Sequence, residues 1–128
     1  MRFPPGFGQG EVSTDIAIIV LARPIAVDPV ALAGPESFRE GRPLVHAAYP
    51  ADRRYQLMAD STCRTVGRAG GVWAMTCDSY VGSSGGPVFI HDHNQMLLAA
   101  IMAGAIESET VAVPVEVWPG LPLSPDCH

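Results

Sequence analysis

The chain has 128 residues, 48% of them hydrophobic and 16% charged, with a formal net charge of −5. That is one domain's worth of sequence, or a piece of a larger protein, with apolar content enough for a real core. The acidic balance leaves no electrostatic footprint for nucleic acid or an anionic membrane. All eight basic residues are Arg, and the absence of Lys removes a phosphate-loop NTPase, a Schiff-base enzyme and a Ser–Lys hydrolase.

No apolar run approaches the roughly 20 residues of a membrane span. The opening Met1–Gly10 stretch has no apolar core of the kind a secretory signal carries. The chain is therefore expected to be cytosolic or to start downstream of the protein's true beginning. Its 13 Gly and 12 Pro are scattered along the whole length, which suits short strands joined by turns better than long helices.

In chain order, the first apolar run is Asp15–Ile25, DIAIIVLARPI. Its β-branched content and closing Arg-Pro read as a buried strand that begins at an acid. Residues 28–41 carry proline and no sustained period, and read as a linker. From Arg42 onward the texture changes to strands at short, regular spacing. Six are predicted, over Arg42–Pro50, Tyr55–Val66, Gly71–Asp78, Gly85–Ile90, Gln95–Gly104 and Glu109–Trp118. With hairpin-length connections between them, they form the pattern of a small antiparallel barrel or sandwich. The predicted organisation is a terminal strand in 1–27, a linker in 28–41, a six-stranded unit in 42–118 and a tail in 119–128.

Cys63 and Cys77 lie 14 residues apart around a glycine-rich turn. That spacing suits a hairpin-bridging disulfide, which would place the chain outside the cytosol; two buried free thiols are the alternative. Cys127 has no evident partner.

The chemistry centres on Gly82-Ser83-Ser84-Gly85-Gly86. As G-x-S-x-G it would be a nucleophile elbow, which needs a helix after the serine. Pro87–Ile90 is β-branched and aromatic, so no helix follows and the elbow is set aside. As G-x-S-G-G-P before an apolar strand, the segment resembles the nucleophile loop of the chymotrypsin/trypsin-like serine proteases. The competing reading is a Gly/Ser-rich hairpin loop without chemistry. Glycines on both sides allow a tight turn, so the N–H groups of Gly82 and Ser84 can converge beside the hydroxyl as an oxyanion hole.

The DIAIIVL segment resembles the strand of the same family that supplies the triad acid, and the resemblance extends from roughly Gly6 to Trp118. It implies an all-β fold, a chymotrypsin-like antiparallel β-barrel with the second barrel complete and the first represented by its last strand. It implies a serine endopeptidase acting on protein or peptide substrates through an acyl-enzyme, with Ser84 as nucleophile and Asp15 orienting a histidine. It implies no cofactor and no metal. Cys63 and Cys77 resemble the disulfide beside the nucleophile loop in the bacterial secreted branch, and the implied location is secreted or periplasmic. Asp78, Ser79, Met102, Ala103 and Gly104 match substrate-binding positions.

Three departures from the family pattern matter. The triad order is His, Asp, Ser, yet His46, His91, His93 and His128 all follow Asp15. The base is therefore expected upstream of residue 1, and the fragment alone is expected to be nearly inactive. His46 is read as a packing residue, and the His91/His93 pair lacks a third metal ligand. Asp78, six residues before Ser84, favours Arg or Lys side chains in the pocket, with a small or apolar residue as competitor. The glutamate-specific relatives carry a pocket histidine where this chain has Met102–Ala105. Ser83 replaces the Asp that pairs with a freed N-terminus in the digestive animal relatives. The rival functional readings are a catalytically inactive homologue that serves as a protein-binding module, and an unrelated all-β binding domain.

Overall fold

A computed structural model of the chain describes residues 1–78 and 82–117. The expected pocket residue Ser79, the last predicted strand residue Trp118, and the 119–128 tail with Cys127 and His128 lie outside the described residues.

Eight strands succeed one another: β1 (Ala31–Leu32), β2 (Val45–Ala48), β3 (Met58–Asp60), β4 (Thr65–Ala69), β5 (Val72–Met75), β6 (Pro87–Asp92), β7 (Gln95–Ile106) and β8 (Glu109–Pro114). Single turns of 3-10 helix punctuate them, and there is no α-helix among the described residues. The sheet runs β3-β2-β6-β7-β8-β5-β4, with β1 lying parallel on β7. All other pairings are antiparallel. The β4–β5 and β6–β7 hairpins turn on two-residue loops, Gly70-Gly71 and His93-Asn94, the tightest connection available to antiparallel strands.

The stretch read as a single strand over Tyr55–Val66 holds β3 and only the first two residues of β4, which runs on to Ala69 through residues expected to form a turn. The break follows from Asp60, whose carboxylate accepts the amide of Thr62 at 2.9 Å and its hydroxyl at 2.7 Å. Such an Asx turn competes with the ladder and bends the chain.

The Asp15–Ile25 run is not a strand. Ile18 makes one isolated bridge to Arg2, and Ile16 is buried, but Ile19, Leu21 and Ile25 are 67%, 55% and 66% exposed. β-Branched residues become a strand only where a neighbour supplies hydrogen bonds, and here the single contact with Arg2 is too short to propagate a ladder. The linker carries β1, and the amide of Ala33 donates to Leu98 on β7 at 2.8 Å.

Period-2 alternation builds the core. His46 and Ala48 on β2, Trp73 and Met75 on β5, and Val88 and Ile90 on β6 face inward, joined by Leu44 and Met102. Each fully buried large apolar side chain contributes roughly 1.5–3 kcal/mol. Ala99, Ala100 and Ala112 are fully buried, and their small side chains leave room for the bulk of Trp73 and the methionines. Phe38 meets Trp73 edge-on at 5.4 Å between ring centroids.

The segment just before β2 is hydrogen-bonded to the start of β4. Leu44 donates to Cys63 at 2.9 Å, Thr65 donates to Arg42 at 3.0 Å, and Pro43 bridges Arg64. Next to these bonds the Cys63–Cys77 disulfide joins residues whose Cα atoms are 4.5 Å apart, both of them buried. It ties the entry of β4 to the exit of β5, where the Ser84 segment begins.

Candidate active site

Ser84 stands exposed on the loop between β5 and β6. Its hydroxyl donates to the Ala103 carbonyl at 3.0 Å. The loop's backbone is moored to the same strand. Gly85 donates to Met102 at 2.7 Å, Met102 donates back to Gly86 at 2.9 Å, and Gly86 donates to Ser83 at 3.1 Å. Ser83 itself is buried. These bonds bend residues 83–86 tightly against β7 and lift the Ser84 side chain to the surface.

Two glycines make that path possible. Gly82 has φ +93, and a Cβ there would lie 2.8 Å from the Ala51 backbone nitrogen. At Gly86 a Cβ would run into the Ala47 carbonyl oxygen, with His46 Cε1 at 2.8 Å and the Ser83 carbonyl oxygen at 3.0 Å.

Asp15 follows a 3-10 turn over Val12–Thr14, to which its amide donates through the Val12 carbonyl at 2.9 Å. Its side chain is exposed, and it borders a cavity lined by Phe7, Gly8, Gly10, Glu11, Val12 and Thr14. No hydrogen bond or ion pair joins it to Ser84 among the described residues. The structure thus brings Ser84 against Ala103 and its neighbour Gly85 against Met102.

Asp78 sits on the other flank. Its amide donates to Asp60 Oδ2 at 3.0 Å. With His46, Ala48, Pro50, Met58, Ala59, Asp60 and Ser83 it lines a cavity of about 150 Å³. Met102, Ala103 and Gly104 are not among the residues lining this cavity.

The sequence marks His46 only as a packing residue and does not single out Asp60. His46 is 3% exposed, its Nδ1 lies 3.0 Å from the Pro87 carbonyl oxygen, and its Nε2 is buried without a hydrogen-bond partner. The carbonyl can only accept, so Nδ1 carries the proton in this contact. Asp60 is its cross-strand partner on β3. Burial pushes the Asp60 carboxyl up, but the Asp78 amide, the Thr62 hydroxyl and amide, and the nearby His46 together hold it below the ordinary carboxylate range. The available signal was the alternation of β2, which puts position 46 on the inward face with Leu44 and Ala48.

His93 Nδ1 lies 3.0 Å from Asp92 Oδ1 in the exposed β6–β7 turn. No group of three or more His, Cys, Asp or Glu is arranged to hold a metal among the described residues.

No protein-family profile matches this sequence, and no curated protein matches it. The fold is similar to the crystal structure of Rv3671c from M. tuberculosis H37Rv, a trypsin-like serine protease solved as a serine-to-alanine mutant in an inactive form. The TM-score is 0.55 at 18% sequence identity, over 70% of this chain and 49% of the other. The chain thus spans about half the length of the solved structure it matches. At this identity the likeness concerns the fold.

Proposed function

We propose that the chain is the C-terminal part of a trypsin-like serine endopeptidase domain. The observation that carries this reading is the Ser84 loop, a G-x-S-G-G-P turn moored to β7 with its serine hydroxyl at the surface. The β-fold shared with Rv3671c supports it. So do the backbone bonds between Arg42 and Thr65 and between Leu44 and Cys63, which tie the start of β4, at one end of the strand order, to the segment leading into β2, next to the other end.

In this mechanism Ser84 Oγ attacks a peptide carbonyl carbon, and its proton passes to a histidine base that belongs to the polypeptide outside these 128 residues. Asp15 orients that base. The amides of Gly82 and Ser84 hold the developing oxyanion, a term usually worth a few kcal/mol. The proton is returned to the leaving amine, and water then hydrolyses the acyl-serine. Asp78, Met102, Ala103 and Gly104 bind the substrate, and Asp78 favours a basic side chain. The Cys63–Cys77 disulfide supports a secreted or periplasmic location, where such bonds persist.

The test is covalent labelling of the full-length gene product with a fluorophosphonate probe. Labelling of wild type that disappears in Ser84→Ala supports the reading. A folded full-length protein that takes no label is the inactive binding module instead.

A further inference from the structure

The two ends of the segment that carries Ser84 meet the same pair of facing residues. At one end, the Asp78 amide donates to Asp60 Oδ2 at 3.0 Å. At the other, His46 Nδ1 donates to the Pro87 carbonyl at 3.0 Å. His46 and Asp60 lie opposite each other in the β2–β3 register. The ring of His46 also forms part of the wall against which Gly86 is seated, since a Cβ on Gly86 would come within 2.8 Å of its Cε1.

We propose that His46 and Asp60 are positioning residues that hold the two ends of the Ser84 segment from one strand pair. The choice of residue types argues for this over packing alone. A ring at position 46 that served only to fill the core would be better made of carbon. His46 is 3% exposed and leaves Nε2 buried without a partner, an arrangement that costs stability. What the imidazole supplies in return is the Nδ1–H donor to Pro87. That donor sits next to Gly86, whose amide and carbonyl bonds to Ser83 and Met102 shape the turn beneath Ser84. Asp60 likewise does more than cap its own turn, because one oxygen serves Thr62 and the other reaches 18 residues along the chain to Asp78.

The inference rests on reading Ser84 as a nucleophile, but its test does not need catalysis. Backbone amide exchange, followed residue by residue by NMR on the 128-residue chain, reports local opening. His46→Ala should speed exchange at Gly85 and Gly86 by about fivefold or more, the size expected for one lost hydrogen bond, and leave Ala112 and Val113 on β8 unchanged. His46→Asn, which keeps a donor near the Nδ1 position, should restore Gly85 and Gly86 to within about twofold of wild type. Asp60→Ala, at the partly exposed end of β3, should speed exchange at Gly85 as well as at Asp78.

Unchanged exchange at Gly85 and Gly86 in His46→Ala overturns the proposal. So does a His46→Asn variant that behaves like His46→Ala, because the ring would then only fill space. An effect of Asp60→Ala confined to Asp78 overturns the paired role. If the exchange pattern holds while the full-length protein takes no fluorophosphonate, the protease reading falls and the scaffold stands.

Discussion

Replacing Gly86 by Ala isolates how tightly the Ser84 loop is built. The φ of Gly86 is not in the left-handed region, so an alanine backbone fits and only space decides. The added methyl meets the Ala47 carbonyl oxygen, His46 Cε1 at 2.8 Å and the Ser83 carbonyl oxygen at 3.0 Å. Two of these three atoms are backbone, and the third belongs to a ring held by its bond to Pro87, so none can step aside cheaply. Overpacking of this kind costs roughly 1–3 kcal/mol. Displacing Gly86 also stretches its bonds to Ser83 and Met102, at about 1 kcal/mol each.

A total of about 3–5 kcal/mol follows, which at about 4 °C per kcal/mol for a chain of this size lowers Tm by roughly 12–20 °C. The control is Gly104→Ala. A Cβ there meets nothing within 4 Å, and the substitution restricts the unfolded chain, stabilising by about 0.4–1 kcal/mol. Thermal unfolding followed by far-UV circular dichroism should separate the two variants by about 14–24 °C. Melting points that agree within about 3 °C would refute the space argument.

Two further outcomes are expected. The Cys63→Ser/Cys77→Ser double variant releases a crosslink of sequence separation 14 and should lose about 3 kcal/mol; a denaturant midpoint equal to that of the oxidised protein contradicts this. Burial and the neighbouring Glu36 raise the Glu116 carboxyl against the opposing pull of Arg68, and its Oε2 has no partner. A raised folded-state pKa favours the protonated form, so its stabilising contribution is full below the ordinary carboxylate range and is lost as pH rises through the folded value. Glu116→Gln should therefore match wild type near pH 4 and exceed it in stability at about pH 7. Urea titrations at the two pH values check this, and a gap of the same size at both removes the argument.

The sequence by itself determined the strands β2 and β5 to β8, the turns between them, the Ser84 loop and the facing cysteines. Each is a local matter of side-chain alternation, turn residues or spacing along the chain. The break between β3 and β4 was legible in principle, since Asp60 two residues before Thr62 is an Asx-turn pattern, but the apolar residues around it outweighed it. What only the tertiary structure decided was partnership. Apolar content in Asp15–Ile25 could not reveal that Ile18 finds a single bridge to Arg2, because a strand exists only if another edge receives it. Nor could spacing from Ser84 reveal that Asp78 lies against β2 and β3 with His46 and Asp60. His46 and Asp60 lie 32 and 18 residues before Asp78 in the sequence. Those contacts depend on the register of two strands brought together by the whole sheet, which no local pattern encodes.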